Sequence, residues 1–253
     1  MSNSNNGLSS LGDIPRILYK FYSLNDYQQD INASKLKALE NQEMWMSTYD
    51  SLNDPFEIAA FYVDYSKGYP VELCDKIAKA FEQCRKDVRI ASLSSNDYSS
   101  MLMWAYYSNN HEGFCVEFDV KERNKLWKMQ YLSQRYGFIN AFIRYMNGEM
   151  SAEEKKEFEQ IISALSKTKG EEWSNEKEYR IVLPAESVRQ VSNAGGVVSF
   201  QSVGLHPRRI FIGMKCNKEN RKRIEKIGLS LQCETIPVEP SETEYKMVVK
   251  VNG

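Results

Sequence analysis

Arg209-Ile-Phe-Ile-Gly213 is an apolar run that predicts a buried β-strand, and the residues after it predict a helix and a second strand. Asn217 is a typical helix N-cap, because its side chain can accept a hydrogen bond from the first turn, and Gly228 is typical of a helix end. The segment from Leu229 to Val238 predicts the second strand. This strand–helix–strand unit indicates a fold in which helices and strands build one core.

Working outward, the same reasoning predicts strands and helices along the rest of the chain. Phe114, Val116 and Phe118 alternate with Cys115 and Glu117, which is typical of a strand with one buried face. The other predicted strands are 17–22, 44–47, 88–93, 179–183, 197–200 and an edge strand at 245–251. The predicted helices are one capped by Asn32 or Ser34 and running to Glu40, 70–86, 100–109, and a helical insertion over about 120–170.

These elements predict a single α+β domain over residues 14–253, with a mixed or split central β-sheet and flanking helices. The chain has 253 residues, of which 42% are hydrophobic, enough for a substantial core. Residues 1–13 are rich in Ser, Asn and Gly and are expected to be disordered, without the apolar centre of a targeting peptide. No apolar run reaches the ~18 residues of a membrane span, so a cytoplasmic location is expected.

The cysteine and histidine content excludes several kinds of site. Five cysteines occur without a Cys-x-x-Cys pair, which argues against both a disulfide framework and a cysteine-rich zinc site. With two histidines, a multi-histidine metal site is excluded, and no metal is expected. The formal net charge of -1 gives no sign of overall attraction to nucleic acid.

Asn53-Asp54-Pro55-Phe56-Glu57 is the first of three polar clusters with a candidate role. A turn that holds an amide and carboxylates rigidly can position a substrate. The alternative is a structural turn, in which an Asx side chain accepts a hydrogen bond from its own backbone and proline fixes φ.

The second cluster is Trp104, Tyr107 and His111, whose spacing of three and four residues puts them on one face of a helix that reaches His111. An indole, a phenol and an imidazole could stack on a flat ring and bind its edge. In the alternative, Trp104 and Tyr107 are core residues and His111 caps the C-terminal end of the helix.

The third cluster is Glu176-Lys-Glu178-Tyr-Arg180. In an extended chain, alternate residues share a face, so Glu176, Glu178 and Arg180 would lie together. Two close carboxylates raise each other's pKa, whereas Arg180 opposes that shift. Such a face could stabilise developing positive charge, or it could be a solvated, ion-paired strand end.

Five motifs follow one another over residues 17–213: Tyr19-Lys20-Phe21-Tyr22, Ser51-Leu-Asn-Asp-Pro-Phe-Glu57, Trp104-x-x-Tyr107-x-x-x-His111-x-Gly113, Trp173-x-x-Glu176-x-Glu178-Tyr-Arg180 and Ile210-Phe-Ile-Gly213. Taken together and in this order, they resemble the bacterial family known as domain of unknown function 2971. The resemblance assigns no reaction.

The chain also resembles the ADP-ribosyltransferase superfamily, which orders its site as a polar first strand, a serine-rich middle strand and a late Glu-x-Glu strand. The corresponding segments are 19–22, Ser92-Leu-Ser94-Ser95 and Glu176-Lys-Glu178. Two features depart from the pattern, since the first strand lacks His or Arg and Leu93 stands where Thr is expected. The resemblance implies an ADP-ribosyltransferase-like fold and NAD as substrate.

By the same resemblance, Glu178 would stabilise an oxocarbenium-like ribose, and Glu176 would position or deprotonate the acceptor. Ser94 would hold the shape of the site. The expected NAD-binding residues are Tyr19, Lys20, Tyr22, Ser94, Trp104, Tyr107 and His111, and the expected positioning residues are Asn53, Asp54, Glu57 and Arg180.

Two other functions fit the residues. Asp54, Glu57, Glu117, Glu176 and Glu178 offer oxygen ligands for a magnesium-dependent phosphodiester hydrolase. A non-catalytic module could instead bind a ligand or partner through the same aromatic and carboxylate groups. The acceptor stays open between protein, nucleic acid and water, and a toxin or phage-defence role follows from the superfamily analogy alone.

Overall fold

Strands and helices alternate through most of the chain in a computed structural model that describes residues 14–137, 140–165 and 167–250. The predicted disordered segment 1–13 lies outside the described residues. The α-helices are α1 (Gln29–Glu40), α2 (Val71–Lys86), α3 (Met101–Tyr107), α4 (Asn140–Met146), α5 (Ala152–Leu165) and α6 (Lys218–Leu231). The strands are β1 (Ile17–Tyr22), β2 (Glu43–Ser47), β3 (Phe61–Tyr62), β4 (Val88–Ser94), β5 (Phe114–Val120), β6 (Trp127–Lys128), β7 (Gln130–Leu132), β8 (Tyr136–Gly137), β9 (Thr168–Gly170), β10 (Glu178–Pro184), β11 (Arg189–Ser192), β12 (Gly195–Ser199), β13 (Leu205–Ile212), β14 (Glu234–Pro240) and β15 (Met247–Val249).

The main sheet confirms the predicted α+β class and its mixed character. Its strand order is β11-β12-β2-β4-β1-β5-β13-β14-β15, and β10 joins it by pairing with β4 and β6. Strands β13 and β14 pair in parallel, because α6 carries the chain back across the sheet between them, and the other pairs in this sheet are antiparallel. The strand–helix–strand unit predicted from the C-terminal third is therefore present.

The sheet is divided at β4. Strand β10 pairs along the whole of β4, whereas β2 meets β4 at one register position, Ile90, and β1 meets it at one, Ser94. Between these positions, the Lys20 ammonium donates a hydrogen bond of 2.9 Å to the carbonyl oxygen of Ser92. The side chain of Lys20 thus satisfies a backbone acceptor at the division of the sheet.

The two faces of the sheet pack into separate cores. On one face, the side chains Leu18, Val116 and Ile210 join residues of α1 and α6. On the other face, α3 places Trp104 against strand residues including Phe21. Because side chains alternate along a strand, α3 covers the face of the sheet on which Tyr19 and Glu117 also lie.

The predicted helical insertion over 120–170 is wrong in its first half. Residues 127–137 contain the short strands β6, β7 and β8, and helix begins only with α4. Pairing with strands elsewhere in the chain explains the difference, because β6 pairs with β10, β7 with β9 and β8 with β3. Partners distant in sequence override the local pattern here.

Two other predicted helix boundaries are wrong for local reasons. Helix α1 begins at Gln29, and Asn32 is not its cap, because its side chain bonds the backbone N–H and C=O of Asn25. Helix α6 continues through Gly228 to Leu231, where Gln232 adopts a left-handed conformation with φ of 56°. Gly228 instead permits close packing, since a Cβ there would lie 2.3 Å from Cγ2 of Thr235.

Gly113 lies where two backbone segments meet, and its replacement by alanine is expected to destabilise the fold. A Cβ at this position would lie 1.8 Å from the carbonyl oxygen of Tyr22, which is backbone and cannot rotate away. We expect Gly113→Ala to lower the free energy of unfolding by about 3 kcal/mol. Gly170→Ala is the matched control, because its Cβ would meet only an ordinary contact 3.7 Å from Trp173. Equal urea midpoints for the two variants would contradict this account.

Candidate functional site

Five charged side chains lie buried together near the start of β10. We call them the buried charge cluster: Glu57, Lys169, Glu176, Glu178 and Arg180. Each is at most 7% exposed. Arg180 binds Glu178 with both ends of its guanidinium fork, at 2.7 Å from Nε to Oε1 and 3.0 Å from the terminal nitrogen to Oε2. It also donates to Glu57, which comes from the predicted turn segment. The third cluster is therefore a buried ion network, and the prediction of a solvated strand end is wrong.

Lys169 joins the two glutamates of the Glu-x-Glu motif. Its ammonium lies 2.6 Å from Oε2 of Glu176 and 3.4 Å from Oε2 of Glu178. Lys169 was not among the predicted site residues, because it lies at the end of a Glu/Lys-rich segment that was predicted to be helical. Tyr131 was not predicted either, and its hydroxyl accepts a hydrogen bond of 2.8 Å from the backbone N–H of Glu178.

The predicted reason for the proximity of Glu176 to Glu178 is wrong. Glu176 ends a 3-10 helix over residues 171–176, and Lys177 is left-handed with φ of 46°, so only Glu178 and Arg180 share the extended strand. Glu176 nevertheless enters the cluster because Lys169 bridges the two carboxylates. The tyrosine hydroxyl of Tyr107 adds a further bond, donated to Oε1 of Glu176.

The second site-forming feature is a row of polar residues across the sheet, the transverse row: Glu178, Ser94, Tyr19, Glu117 and Arg209. Each is the direct register partner of the next on neighbouring strands β10, β4, β1, β5 and β13. Because residues directly opposite each other in a sheet point to the same face, the row lies on the face covered by α3. The three segments that resemble the ADP-ribosyltransferase order thus lie side by side.

Hydrogen bonds tie the row together at both ends. Ser94 donates from Oγ to the carbonyl oxygen of Glu176 at 2.5 Å, which fixes the turn before β10. At the other end, Tyr19 donates to Glu117 at 2.8 Å, and Arg209 holds both oxygens of the same carboxylate at 2.9 Å and 2.7 Å. Glu117 is fully buried and therefore serves to orient Tyr19.

The carboxylates of the buried charge cluster differ in acidity. Burial alone would raise the pKa of Glu178, but the charges of Arg180 and Lys169 hold that pKa below its ordinary value. Burial raises the pKa of Glu176, and the opposing charge of Lys169 is too small to cancel it. The pKa of Glu57 is likewise raised by burial despite Arg180. Glu178 is therefore the member that stays ionised most firmly.

The raised pKa of Glu176 predicts a pH-dependent effect of Glu176→Gln. The folded state holds the proton of Glu176 more tightly than the unfolded state, so ionisation removes stability as pH rises above the ordinary glutamate value. We expect the melting temperature of Glu176→Gln, relative to that of the parent, to increase between about pH 4.5 and pH 7. A difference that is constant across this range would contradict the assignment.

Several predicted ligand-binding residues are buried in the core. Trp104 is 0% exposed, donates from Nε1 to the Tyr98 carbonyl oxygen at 2.7 Å and packs edge-on against Phe21. Tyr22 stacks on Phe114, with ring centroids 4.7 Å apart. Trp104 has no exposed surface on which a ligand could stack, and Tyr22, which is partly exposed, packs on the face of the sheet opposite to Tyr19.

His111 is not on the helix that carries Trp104 and Tyr107. Helix α3 ends at Tyr107, and His111 adopts a φ of 74° in the turn that follows. Its ring lies nearly parallel to that of Trp104, with centroids 6.1 Å apart. The predicted shared helical face is therefore wrong, although Tyr107 itself reaches the site.

Lys20, another predicted ligand-binding residue, is bonded to backbone at the division of the sheet, and burial lowers its pKa to about 8.

The turn segment 53–57 is an Asx turn, as the structural alternative predicted. Oδ1 of Asp54 accepts a hydrogen bond of 2.9 Å from the N–H of Phe56, as an Asx turn requires. Asn53, on the same turn, donates to the hydroxyl of Tyr107 at 3.2 Å, and Glu57 binds Arg180. The turn thus braces the buried charge cluster and carries an exposed amide beside it.

An open groove of about 1100 Å³ lies on the other side of Lys169. Lys169 is the link, because it lines the groove while its ammonium contacts Glu176 and Glu178. The charged and aromatic residues that line the groove beside Lys169 are Asp54, Phe56, Tyr62, Arg135, Glu171, Glu172 and Trp173.

The carboxylates considered as magnesium ligands do not converge on one point. Glu57 and Glu178 bind Arg180, Glu176 binds Lys169, and Glu117 binds Arg209 on another part of the sheet. In the part of the chain that the structure describes, no three His, Cys, Asp or Glu residues lie close enough to hold a metal ion.

Comparison with known proteins confirms the first resemblance. Residues 103–181 match the family described as "Protein of unknown function (DUF2971)", and this region contains both the Trp104–Gly113 and the Trp173–Arg180 motifs. No curated protein and no solved structure gives a significant match. Within the described ranges, none of the helices combines the length and apolar character that crossing a membrane requires.

Proposed function

We propose that this chain, whose residues 103–181 match a family without an assigned reaction, is an ADP-ribosyltransferase-like enzyme that uses NAD as substrate. The observation that carries the proposal is the transverse row. Tyr19, Ser94 and Glu178 come from segments far apart in sequence, yet they are direct neighbours across three strands. The order of these residues along the chain is the basis of the superfamily resemblance, and their side-by-side placement supports the proposal.

Glu178 stabilises the charge that develops during the reaction. The bond between the nicotinamide nitrogen and ribose C1 breaks, its electron pair goes to the nitrogen, and positive charge develops on the ribose. A fixed carboxylate close to the ribose lowers the energy of that transition state. The pKa of Glu178 is held below its ordinary value, which supports this role because the side chain remains ionised at neutral pH.

Glu176 acts on the acceptor. A new bond forms between ribose C1 and the acceptor nucleophile, which gives up a proton. Lys169 contacts both carboxylates and so holds Glu176 close to Glu178. Burial raises the pKa of Glu176, so the carboxylate of Glu176 is a better proton acceptor than that of Glu178. The acceptor, a protein side chain or a nucleic acid, is left open by these groups.

Tyr107 and Tyr19 replace Trp104 and Tyr22 as the rings available to nicotinamide. Both are partly exposed, and both lie on the α3 face of the sheet next to the buried charge cluster. The exposed amide of Asn53 lies at the same opening, bonded to the hydroxyl of Tyr107. Opening of the Tyr107–Glu176 hydrogen bond gives a ribose access to Glu178, which is 3% exposed in the closed arrangement.

A non-catalytic ligand-binding module is the second candidate, and one specific observation favours it. Both carboxylate oxygens of Glu178 are occupied by Arg180, which compensates the charge that catalysis would use. In that case the buried charge cluster holds the fold together, and ligands bind around it without reaction.

The proposal includes a cytoplasmic location, which agrees with five free cysteines, since disulfides are rare in reducing compartments. A role as a toxin or in phage defence would follow from the enzymatic proposal by superfamily analogy and has no separate support in the residues.

Release of nicotinamide from NAD tests the proposal. The purified chain is incubated with NAD and, in parallel, with water alone, a mixed protein extract or single-stranded nucleic acid as acceptor, and nicotinamide is measured by chromatography. We expect release in at least one of these mixtures. If none shows release while NAD raises the melting temperature, the binding module is correct. If NAD yields no nicotinamide and leaves the melting temperature unchanged, the chain neither turns over NAD nor binds it.

A further inference from the structure

Asp54, which lines the groove beyond Lys169, has a buried carboxylate oxygen without a hydrogen-bond partner among the described residues. Asp54 is 3% exposed, and its Oδ1 is used by the turn, whereas its Oδ2 accepts no hydrogen bond from any residue that the structure describes. A buried carboxylate oxygen without a donor is costly, and a ligand that brings an N–H to it recovers that cost. Asp54 is one of the residues that line the groove.

The cations that line the groove are already engaged. Arg135 donates to the carbonyl oxygens of Ala59 at 2.5 Å and Phe61 at 3.1 Å. Lys169 is bound to Glu176 and Glu178 and lies 4.5 Å from the ring centre of Trp173. These groups therefore offer little to an anionic ligand.

The acids of the groove, in contrast, are available. Glu171 and Glu172 are exposed, and neither forms an ion pair within the described ranges. Together with Asp54, they give the lining three carboxylates against the two cations Arg135 and Lys169. The local excess of negative charge favours a cation and repels phosphate.

Aromatic rings supply the second element of cation recognition. Phe56 is 54% exposed and Tyr62 is 42% exposed, and both line the groove. Arg135 lies 5.2 Å and 5.4 Å from their ring centres, so a ligand would use the part of each ring that stays exposed. Rings arranged in this way attract organic cations through their electron-rich faces.

We propose that this groove binds an organic cation, a guanidinium or alkylammonium group, which donates to Oδ2 of Asp54 and packs against Phe56 and Tyr62. The site does not depend on turnover of NAD, because none of these three residues belongs to the transverse row or to the buried charge cluster.

Calorimetric titration with agmatine, which carries both a guanidinium and an ammonium group, tests the site in the absence of NAD. We expect binding with a Kd of about 1 mM or tighter. Asp54→Asn should weaken it at least about tenfold, because a hydrogen bond to a charged group is lost. Asp119→Asn is the matched control, since it makes the same change on β5, outside the groove lining. AMP is titrated in parallel and is expected to bind more weakly.

A second variant keeps the test informative if Asp54→Asn does not fold. Phe56→Ala removes a largely exposed ring and should also weaken agmatine binding. The proposal is overturned if the parent protein gives no agmatine signal, if AMP binds as tightly as agmatine, or if both variants bind agmatine like the parent. Since NAD is absent throughout, failure here leaves the nicotinamide-release experiment unaffected.

Discussion

Arg180→Met is expected to lower the melting temperature by about 6 to 20 °C. The substitution leaves the carboxylates of Glu178 and Glu57 buried without their principal cation, and breaking a buried ion pair from one side costs about 3–5 kcal/mol. For a chain of this size, each kcal/mol corresponds to about 2–4 °C in melting temperature. The long, flexible methionine side chain approximates the volume of arginine, so that the loss of charge dominates the effect.

Arg189→Met provides the matched control. Arg189 pairs with Glu43 at 2.6 Å, but its side chain is 63% exposed, so the same substitution should cost at most about 1 kcal/mol.

The pKa of Glu178 is depressed in the fold, so the stabilising contribution of its carboxylate is present above the ordinary glutamate pKa and is lost as pH falls. The deficit of Arg180→Met should therefore shrink in acid. A deficit independent of pH would indicate lost packing instead of lost charge pairing.

Glu178→Gln is expected to reduce nicotinamide release by about a hundredfold or more, if the chain turns over NAD as proposed. The amide keeps the shape of the side chain and removes the negative charge that stabilises the ribose in the transition state. Loss of one electrostatic group of this kind typically costs about 100-fold to 1000-fold in rate. The measurement is kcat for nicotinamide release, taken below the melting temperature of each variant.

Glu117→Gln is the control that distinguishes a loss of catalytic rate from a loss of folding stability. Glu117 is also a fully buried carboxylate of the transverse row, is also bound by an arginine, and lies two strands away from Ser94. It should lower stability in a similar way while reducing kcat much less than Glu178→Gln does. If both variants lose stability and neither loses turnover, Glu178 is a structural residue.

The positions of most strands could be predicted from local patterns. The boundaries of β1 were predicted without error, and those of β4 and β10 to within one residue at each end, because buried strands carry apolar runs bounded by turn residues. Prediction failed over 127–137, where three short strands form by pairing with β10, β9 and β3. It failed again at His111, because α3 ends at Tyr107 and residues 109–111 are left-handed.

Residue type and order selected Glu178, Ser94, Tyr107 and Arg180 as candidates but did not predict their geometry. The fold brings these four residues together near the start of β10, although Ser94 belongs to β4 and Tyr107 to α3. Trp104 and Tyr22 were chosen by the same reasoning but belong to the core, since an aromatic ring gives no sign in sequence of whether its face is covered. Lys169 could not be predicted, because the sequence does not distinguish a buried lysine from the exposed lysines near it.

Local sequence patterns were enough to predict the α+β class, the strand–helix–strand unit and most of the polar candidates. These properties follow from side-chain periodicity and turn residues, which act over a few neighbouring positions. Three features depend on the tertiary structure instead: Lys169 bridges Glu176 and Glu178, Tyr19 lies beside Ser94, and Asp54 lines a groove with one carboxylate oxygen unpaired. Strand register and the burial of charge depend on partners distant in sequence, and no local pattern encodes them.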